Sequence, residues 1–256
     1  MSSIRFKVLS YNIHKGFSSG NLKFTLRQIK QSIQQIQPDL VCLQEILGYH
    51  EHHKKHFPQH PHFSQPEYLA EGLWPHLTYG KNAVYPKGHH GNAILSRYSI
   101  QFWENQDISL NSLERRGMLH SILKIPKLAT PLHIICIHLG LFETDRNYQI
   151  NTLCDRIRAT IPNNEPLLVA GDFNDWRKVA SAALLNEVGL TEAFLEFQGS
   201  HAKTFPVWLP ALSLDRIYYR GLKLENAICL KDAPWSKLSD HAPLFCEFLI
   251  SKNKTI

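Results

Sequence analysis

Apolar residues alternate from the start of the chain: Ile4, Phe6 and Val8 share one face, and the run closes on Leu9 and Tyr11. A period of two predicts a strand over residues 4–11. From Leu22 the spacing changes. Leu22, Ile29, Ile33 and Ile36 fall near one face of an amphipathic helix, and Pro38-Asp39 ends it. The apolar run 40–43 predicts a second strand. The same order returns in the second half of the chain. A strand over 132–137 precedes a helix over about 144–161, with Ile150, Leu153, Ile157 and Ile161 on one side, and after Pro162 comes a strand over 167–170. In both units polar residues follow the strands: Asn12 and Glu45 in the first, His138 and Asp172 in the second. Shorter strand-like runs occupy 78–85, 92–96, 118–125, 216–219, 224–230 and 244–250.

Many strands and few helices predict an α/β protein with two sheets packed face to face, helices on the outer faces, and functional loops at one rim. No linker, low-complexity tract or charge block divides the chain, so a single domain over 1–256 is expected. A chain of 256 residues, 43% hydrophobic and 20% charged, can bury a large core as an ordinary globular protein. The formal charge of +6 is a modest pointer to anionic partners such as nucleic acid, phosphorylated headgroups or acidic membranes. Of the five cysteines, Cys42 and Cys136 sit in strand cores, and no CxxC occurs; they read as small apolar side chains in a reducing compartment. The alternation beginning at Ile4 leaves no apolar export segment, and no run approaches the ~18 apolar residues of a membrane helix. A cytoplasmic location is expected, with export without a cleaved signal left open.

The polar clusters carry the candidate chemistry. Asn12 and Glu45 offer oxygen ligands suited to a hard cation, Mg²⁺ or Mn²⁺; taken singly, a turn cap and a surface carboxylate paired to a lysine would explain them as well. Asp172 and Asn174 lie two apart, which on an extended segment puts both on one face. There an Asp can activate water while an Asn holds a phosphate oxygen; a turn with local hydrogen bonds is the alternative. His241 can grip phosphate as an imidazolium if a carboxylate stands behind it, and Asp215 is the candidate. Residues 81–92 read as a hairpin around Pro86-Lys87-Gly88, with His90 and Asn92 available to an anionic substrate, and Arg115-Arg116-Gly117 as a phosphate clamp. His50, His52, His53, His56, His60 and His62 match no ordered zinc spacing and favour a solvated loop.

In order along the chain, Tyr11-Asn12, Gln44-Glu45, Gly91-Asn92-Ala93, His138-Leu139, Gly171-Asp172-Phe173-Asn174, Leu214-Asp215-Arg216-Ile217 and Ser239-Asp240-His241-Ala242-Pro243 resemble the endonuclease/exonuclease/phosphatase superfamily. That superfamily includes DNase-I-like nucleases, abasic-site endonucleases, sphingomyelinases and inositol-polyphosphate 5-phosphatases. Residues 12–16 and 83–93 resemble a bacterial branch of it. The resemblance implies a four-layered α/β/β/α sandwich of two mixed β-sheets flanked by helices. It makes Glu45 the principal metal ligand, with Asn12 close by and Asp240 a further ligand. Asp172 would orient and deprotonate water, Asn174 would hold the scissile phosphate, and His241, oriented by Asp215, would polarise it. His138 would support the phosphate or the leaving oxygen, with Asn92, Arg116 and His90 on the substrate side.

The implied reaction is Mg²⁺- or Mn²⁺-dependent hydrolysis of a phosphodiester by in-line attack of water, on DNA or RNA. The alternative substrate is a phospholipid or inositol-phosphate headgroup, for which residues 205–210 would supply an apolar rim loop unless they are core. A non-catalytic binding module is less favoured, because no chemical residue is missing. A monomer is expected. Two departures matter. His14 stands where abasic-site enzymes carry an acidic residue, and Arg216 stands where many members have His or Tyr, which would favour a phosphate-rich substrate.

Overall fold

The computed structural model describes residues 3–50, 64–126 and 128–251. The histidine-rich stretch beyond His50 lies outside these residues. Twelve strands form two six-stranded sheets. The first has the order β11-β12-β1-β2-β4-β3, from Lys223–Cys229 (β11), Leu244–Ser251 (β12), Ser3–Asn12 (β1), Leu40–His50 (β2), Gly88–Ser96 (β4) and His76–Tyr85 (β3). The second has the order β5-β6-β7-β8-β10-β9, from Ser99–Asp107 (β5), Gly117–Lys124 (β6), Leu132–His138 (β7), Leu167–Asp172 (β8), Asp215–Arg220 (β10) and Thr191–Glu192 (β9). Among the described residues five α-helices accompany them: α1 Leu26–Ile36, α2 Gln65–Ala70, α3 Glu143–Thr160, α4 Ala180–Val188 and α5 Ala193–Gln198. Among the described residues no helix is long and apolar enough to cross a membrane.

Three apolar clusters make the layers. Phe6, Val8, Cys42, Ile94, Ile134, Cys136, Ala170 and Ile217 fill the space between the sheets. Ile135, Ile137 and Val169, on the alternate positions, meet Ile150, Leu153 and Ile157 of α3. Leu9, Tyr11, Val41 and Leu43 likewise meet Leu26, Ile29 and Ile33 of α1. Both faces of the central strands are therefore buried, which is why they read as nearly continuous apolar runs. This is the α/β/β/α sandwich expected from the sequence.

The repeat seen in the sequence is a repeat of topology. β1 and β2 are parallel with α1 as their crossover, and β7 and β8 are parallel with α3 as theirs. Asn12 registers with Gln44, and His138 with Asp172. The Pro86-Lys87 turn joins β3 to β4 as the expected hairpin.

Some boundaries differ from expectation. Helix α1 begins at Leu26, because the chain first makes short turns with left-handed residues at Gly20 and Asn21, and Leu22 stays exposed. Strand β2 does not end before Glu45. It bulges there, with the register shifting between Leu43 and Ile46, and runs on to His50. Strand β5 shows no apolar period because it is an edge strand exposed on much of its length. The helix α2 carries a signal that sequence reading missed: Ser64 and Glu67 form a capping box ahead of Gln65.

Candidate active site

The site lies where the ends of the two sheets meet. Strands β7, β8 and β10 are neighbours, and their registers bring His138 and Asp215 to either side of Asp172. The approach of β8 to β7 requires a glycine at position 171: a Cβ there would stand 1.8 Å from the Ile137 carbonyl oxygen. From the other sheet, Asn12 at the end of β1 donates Nδ2–H to Asp172 Oδ2 at 3.1 Å. His138 Nε2 lies 3.5 Å and His241 Nε2 3.8 Å from the same oxygen. Three nitrogen groups from three segments thus converge on one buried carboxylate oxygen. Asp172 Oδ1 accepts the backbone N–H of Asn174 at 3.0 Å.

The segment after Asp172 is a turn and not an extension of the strand. Asn174 has a left-handed backbone (φ 48°), a conformation that Asn tolerates, and donates Nδ2–H to the Leu139 carbonyl at 2.9 Å. The local-turn reading of this motif therefore holds, and the extended segment expected to put both side chains on one face is not formed.

His241 is held on several sides. Its Nδ1 lies 2.9 Å from Asp215 Oδ2, and its backbone N–H reaches Ser239 Oγ, which itself donates to the Asn12 carbonyl at 2.8 Å. The Phe205 ring packs against it at 4.9 Å. Burial works against charge on this ring, but Asp215, Asp172 and Asp240 outweigh it and carry its pKa up to about 10. His241 is an imidazolium at neutral pH. His138 goes the other way: burial and the Arg116 charge push it down to about 4, against the pull of Asp172 and Glu45, so it is neutral.

Glu45 sits at the β2 bulge with φ 52°, which turns its side chain out of the ladder and into the cleft. Burial alone would raise its carboxyl; the His138 ring and the Lys15 ammonium beside it more than offset that and hold it well below the usual carboxylate range. With His138 neutral, Lys15 is the partner that counts at pH 7, its Nζ 2.9 Å from Glu45 Oε2. On the far side His14 Nδ1 lies 2.6 Å from Asp240 Oδ2, and this hydrogen bond, against the effect of burial, raises the His14 pKa. Three consecutive left-handed residues, His14, Lys15 and Gly16, form the turn that carries these two side chains. Lys15 is a site residue that the sequence does not single out; its only signal is its place directly after Asn12-Ile13-His14.

Two carboxylate groupings are candidates for a metal. Among the described residues, Asp172, Asp215 and His241 bring ligand atoms within 4.8 Å of one another. Both nitrogens of His241 already face carboxylates, however, Nδ1 that of Asp215 and Nε2 that of Asp172, so a cation there would have to displace these contacts and their protons. The Glu45 side fits a hard cation better: its donors are oxygens, and its carboxylate already draws an ammonium to itself. Asn12 turns Nδ2 toward Glu45 Oε1 (3.5 Å) and Asp172, while its Oδ1 accepts from the His14 backbone N–H. Its oxygen would join such a set only after the amide rotates.

Other expected residues fall elsewhere. Asn92 is buried between the sheets, where its Nδ2 donates to the carbonyls of Gly117 (2.9 Å) and Cys136 (3.3 Å); its inward-facing place on β4 makes it a tie between layers. Arg216 is wholly buried and donates to the carbonyls of Asp215 and Asp175, so it is a strut under the site and no phosphate contact. Arg116 borders the cleft, but its Nε–H goes to the Leu139 carbonyl and its fork to Glu114 and the Arg115 carbonyl. His90 is beside the Glu45–Lys15 pair, with its Nδ1 on Tyr85 Oη at 3.3 Å, and burial and the Lys15 charge push its pKa down to about 4.

Comparison with known proteins gives the family. The family model described as Endonuclease/Exonuclease/phosphatase family matches residues 9–241. The Escherichia coli (strain K12) protein named Uncharacterized protein YbhP is 45% identical over 242 residues, covering 94% of this chain and 95% of its own. Among solved structures, an endonuclease/exonuclease/phosphatase from Beutenbergia cavernae superposes with a TM-score of 0.79 at 18% identity, over 96% of this chain and 72% of that one. The human Nocturnin catalytic domain with bound sulfate anion gives 0.72 at 21% identity, over 96% of each. From the matched span and the full-length relative, the chain is a member of the endonuclease/exonuclease/phosphatase family, a superfamily of phosphoesterases.

Proposed function

We propose that this protein is a metal-dependent phosphodiesterase in which Asp172 activates the attacking water. The observation that carries the reading is the convergence of the Asn12, His138 and His241 nitrogens on the buried Asp172 Oδ2, with His241 backed by Asp215. With a pKa near 10, His241 cannot take a proton at neutral pH, so the base has to be a carboxylate. Asp172 Oδ2 is the oxygen to which Asn12, His138 and His241 all point.

In the proposed step water attacks phosphorus in line with the leaving oxygen, and Asp172 takes the proton. The P–O bond to the leaving group then breaks. His241, its Nδ1–H fixed on Asp215, presents Nε2–H to a non-bridging phosphate oxygen and offsets the charge that grows there. Asn174 has a second amide N–H beyond the one given to Leu139 for the same phosphate. Neutral His138 can donate to the phosphate or to the leaving oxygen. A hard divalent cation held by Glu45, with Asn12 and Asp240, would lower the charge on the leaving oxygen. A cation held there would take the place of Lys15 on Glu45 and of His14 on Asp240, which would leave both side chains free for the substrate.

Nucleic acid is the substrate suggested by the net charge of +6, and a phospholipid or inositol-phosphate headgroup is the second. The sulfate in the related Nocturnin domain supports an anion-binding role for this fold, and both substrates supply that anion. The test is Mg²⁺-dependent product release from plasmid DNA, RNA, phosphoinositides and sphingomyelin, with Asp172→Ala as the control. Turnover that needs the metal and is lost in Asp172→Ala is the expected result. Full turnover by folded Asp172→Ala would sink the proposed role of that residue.

A further inference from the structure

We infer that the loops around the site form a docking surface for an anionic lipid bilayer. Leu113 is 90% exposed, and Phe142, Trp208 and Leu209 are between 61% and 67% exposed. Leu141 and Trp176 are also on the surface. These six residues come from four separate loops, and hydrogen bonds tie each loop to the site. Glu114, next to Leu113, accepts the Leu141 backbone N–H at 3.0 Å, and Asn174 donates to Leu139. Trp176 follows Asn174-Asp175 and lies under the Arg146 guanidinium at 4.2 Å, while Arg146 also donates to the Gly140 and Leu141 carbonyls. On the other side, Val207 N–H donates to the Asp240 carbonyl at 2.8 Å, which leaves Trp208 and Leu209 at the tip of the Phe205 loop. The apolar side chains thus stand on two sides of the cleft, on the His138–Asn174 flank and on the Asp240–His241 flank.

Large apolar side chains exposed on both flanks of one site mark a contact surface. Its chemistry selects the partner. Cations are interleaved with the apolar tips: Arg115 two residues after Leu113, and Arg177 and Lys178 directly after Trp176, all exposed. Glu143 engages Arg177 at 2.6 Å and Asp107 lies 3.7 Å from Arg115, so part of this charge is already balanced. Aromatic rings with leucines beside basic groups match a bilayer interface, where apolar tips enter the acyl boundary and cations remain among anionic headgroups. Single-stranded nucleic acid would use the aromatic rings for stacking, but Leu113, Leu141 and Leu209 have no π-face to offer a base. Docking there would present a headgroup phosphodiester to Asp172 without lifting the lipid from the membrane. For the ester cleaved, though not for the docking, the inference rests on the phosphodiesterase reading above.

The test separates the two. Sedimentation of the full chain with vesicles of phosphatidylcholine alone, and of phosphatidylcholine with phosphatidylglycerol, measures docking without turnover. Hydrolysis of soluble bis(p-nitrophenyl) phosphate in Mg²⁺ measures the chemistry and, in a variant, the fold. The expected result is recovery with the anionic vesicles. A variant combining Leu113→Ser, Phe142→Ser, Trp208→Ser and Leu209→Ser should lose about tenfold or more of its vesicle partitioning and keep wild-type turnover of the soluble diester. No vesicle binding by the wild type, or undiminished binding by the variant, overturns the inference. So does binding of a single-stranded oligonucleotide that depends on the same four residues while vesicles are ignored. Vesicle docking by a wild type that cannot hydrolyse the soluble diester leaves the docking surface standing and removes the phosphodiesterase reading instead.

Discussion

Asp215 never needs to touch a substrate to matter, because it sets the charge of His241. Its Oδ2 lies 2.9 Å from His241 Nδ1, and with Asp172 and Asp240 it lifts the imidazole to about 10 despite burial. If the imidazolium is the active form, activity that depends on it persists up to about pH 10. Asp215→Asn removes the largest favourable contribution, so the alkaline limb of kcat/KM should move down toward neutral pH; a pH–rate profile of the two proteins reads this directly. His241→Ala should lose roughly 10²–10³-fold in kcat, measured at pH 7 on a folded sample. Arg216 makes the opposite case. Its guanidinium is spent on the carbonyls of Asp215 and Asp175, so Arg216→Ala strands buried carbonyls and leaves a void. Urea unfolding should show a loss of about 3–5 kcal/mol, with substrate KM for the folded fraction nearly unchanged. A large rise in KM without loss of stability would restore the phosphate-binding role that the sequence suggested for it.

At the scale of elements, the site is made by strand ends and by departures from regular strand. The two parallel pairs, β1–β2 and β7–β8, place their last residues side by side, and the buried amide of Asn12 joins one pair to the other at Asp172. Glu45 reaches the cleft because β2 bulges, and His14 and Lys15 because the chain stays left-handed through Gly16. Gly171 is the element-scale weak point. A methyl group there would collide with the Ile137 carbonyl, which belongs to the strand that delivers His138. Gly171→Ala should therefore separate β7 from β8, cost roughly 3 kcal/mol in stability, and reduce activity along with it. Thermal unfolding together with turnover would show whether the two losses coincide.

For the whole molecule, the histidines make stability depend on pH from both sides. His120 and His133 are buried beneath α3, with His120 Nε2 2.9 Å from His133 Nδ1 and His133 Nε2 2.5 Å from Glu165. Burial, the His133 ring and Arg156 push His120 down to about 3, and His90 and His138 fall to about 4. Below the ordinary histidine value of about 6.5 the unfolded chain takes up protons that these three rings refuse in the fold. Stability should then fall as the pH drops from about 6.5 toward 3–4, by at most about 1.4 kcal/mol per group per pH unit. His241 has the reverse sign. Its contribution is complete below about 6.5 and is lost as the pH rises toward 10. Denaturant midpoints across this range should give a maximum near pH 6.5. His120→Gln should flatten the acid side, and an unchanged acid slope in that variant would exclude His120 as a source of it.

The sequence by itself determined the layers and the cast of the site. Local periodicity specifies which faces are apolar, and a repeated strand–helix–strand unit with a polar residue at each strand end specifies a parallel pair with chemistry at one rim. Asn12, Glu45, His138 and Asp172 stood out in that way; His241 and Asp215 stood out instead as a histidine in need of a carboxylate behind it, and the hairpin around Pro86-Lys87 by its turn residues. Only the tertiary structure decided which polar side chains face the cleft. Asn92 and Arg216 have the residue types of substrate ligands, but backbone carbonyls claim them: those of Gly117 and Cys136 in the opposite sheet for Asn92, and those of the adjacent Asp215 and the sequence-distant Asp175 for Arg216. Lys15 has the residue type of any surface lysine until the left-handed turn aims it at Glu45. The apolar tips of four loops are scattered singly along the chain, from Leu113 to Leu209, and become one rim only when the two sheets bring their ends together. Periodicity reports what a residue does for its own element, whereas charge pairing and exposure are settled by groups that sequence distance conceals.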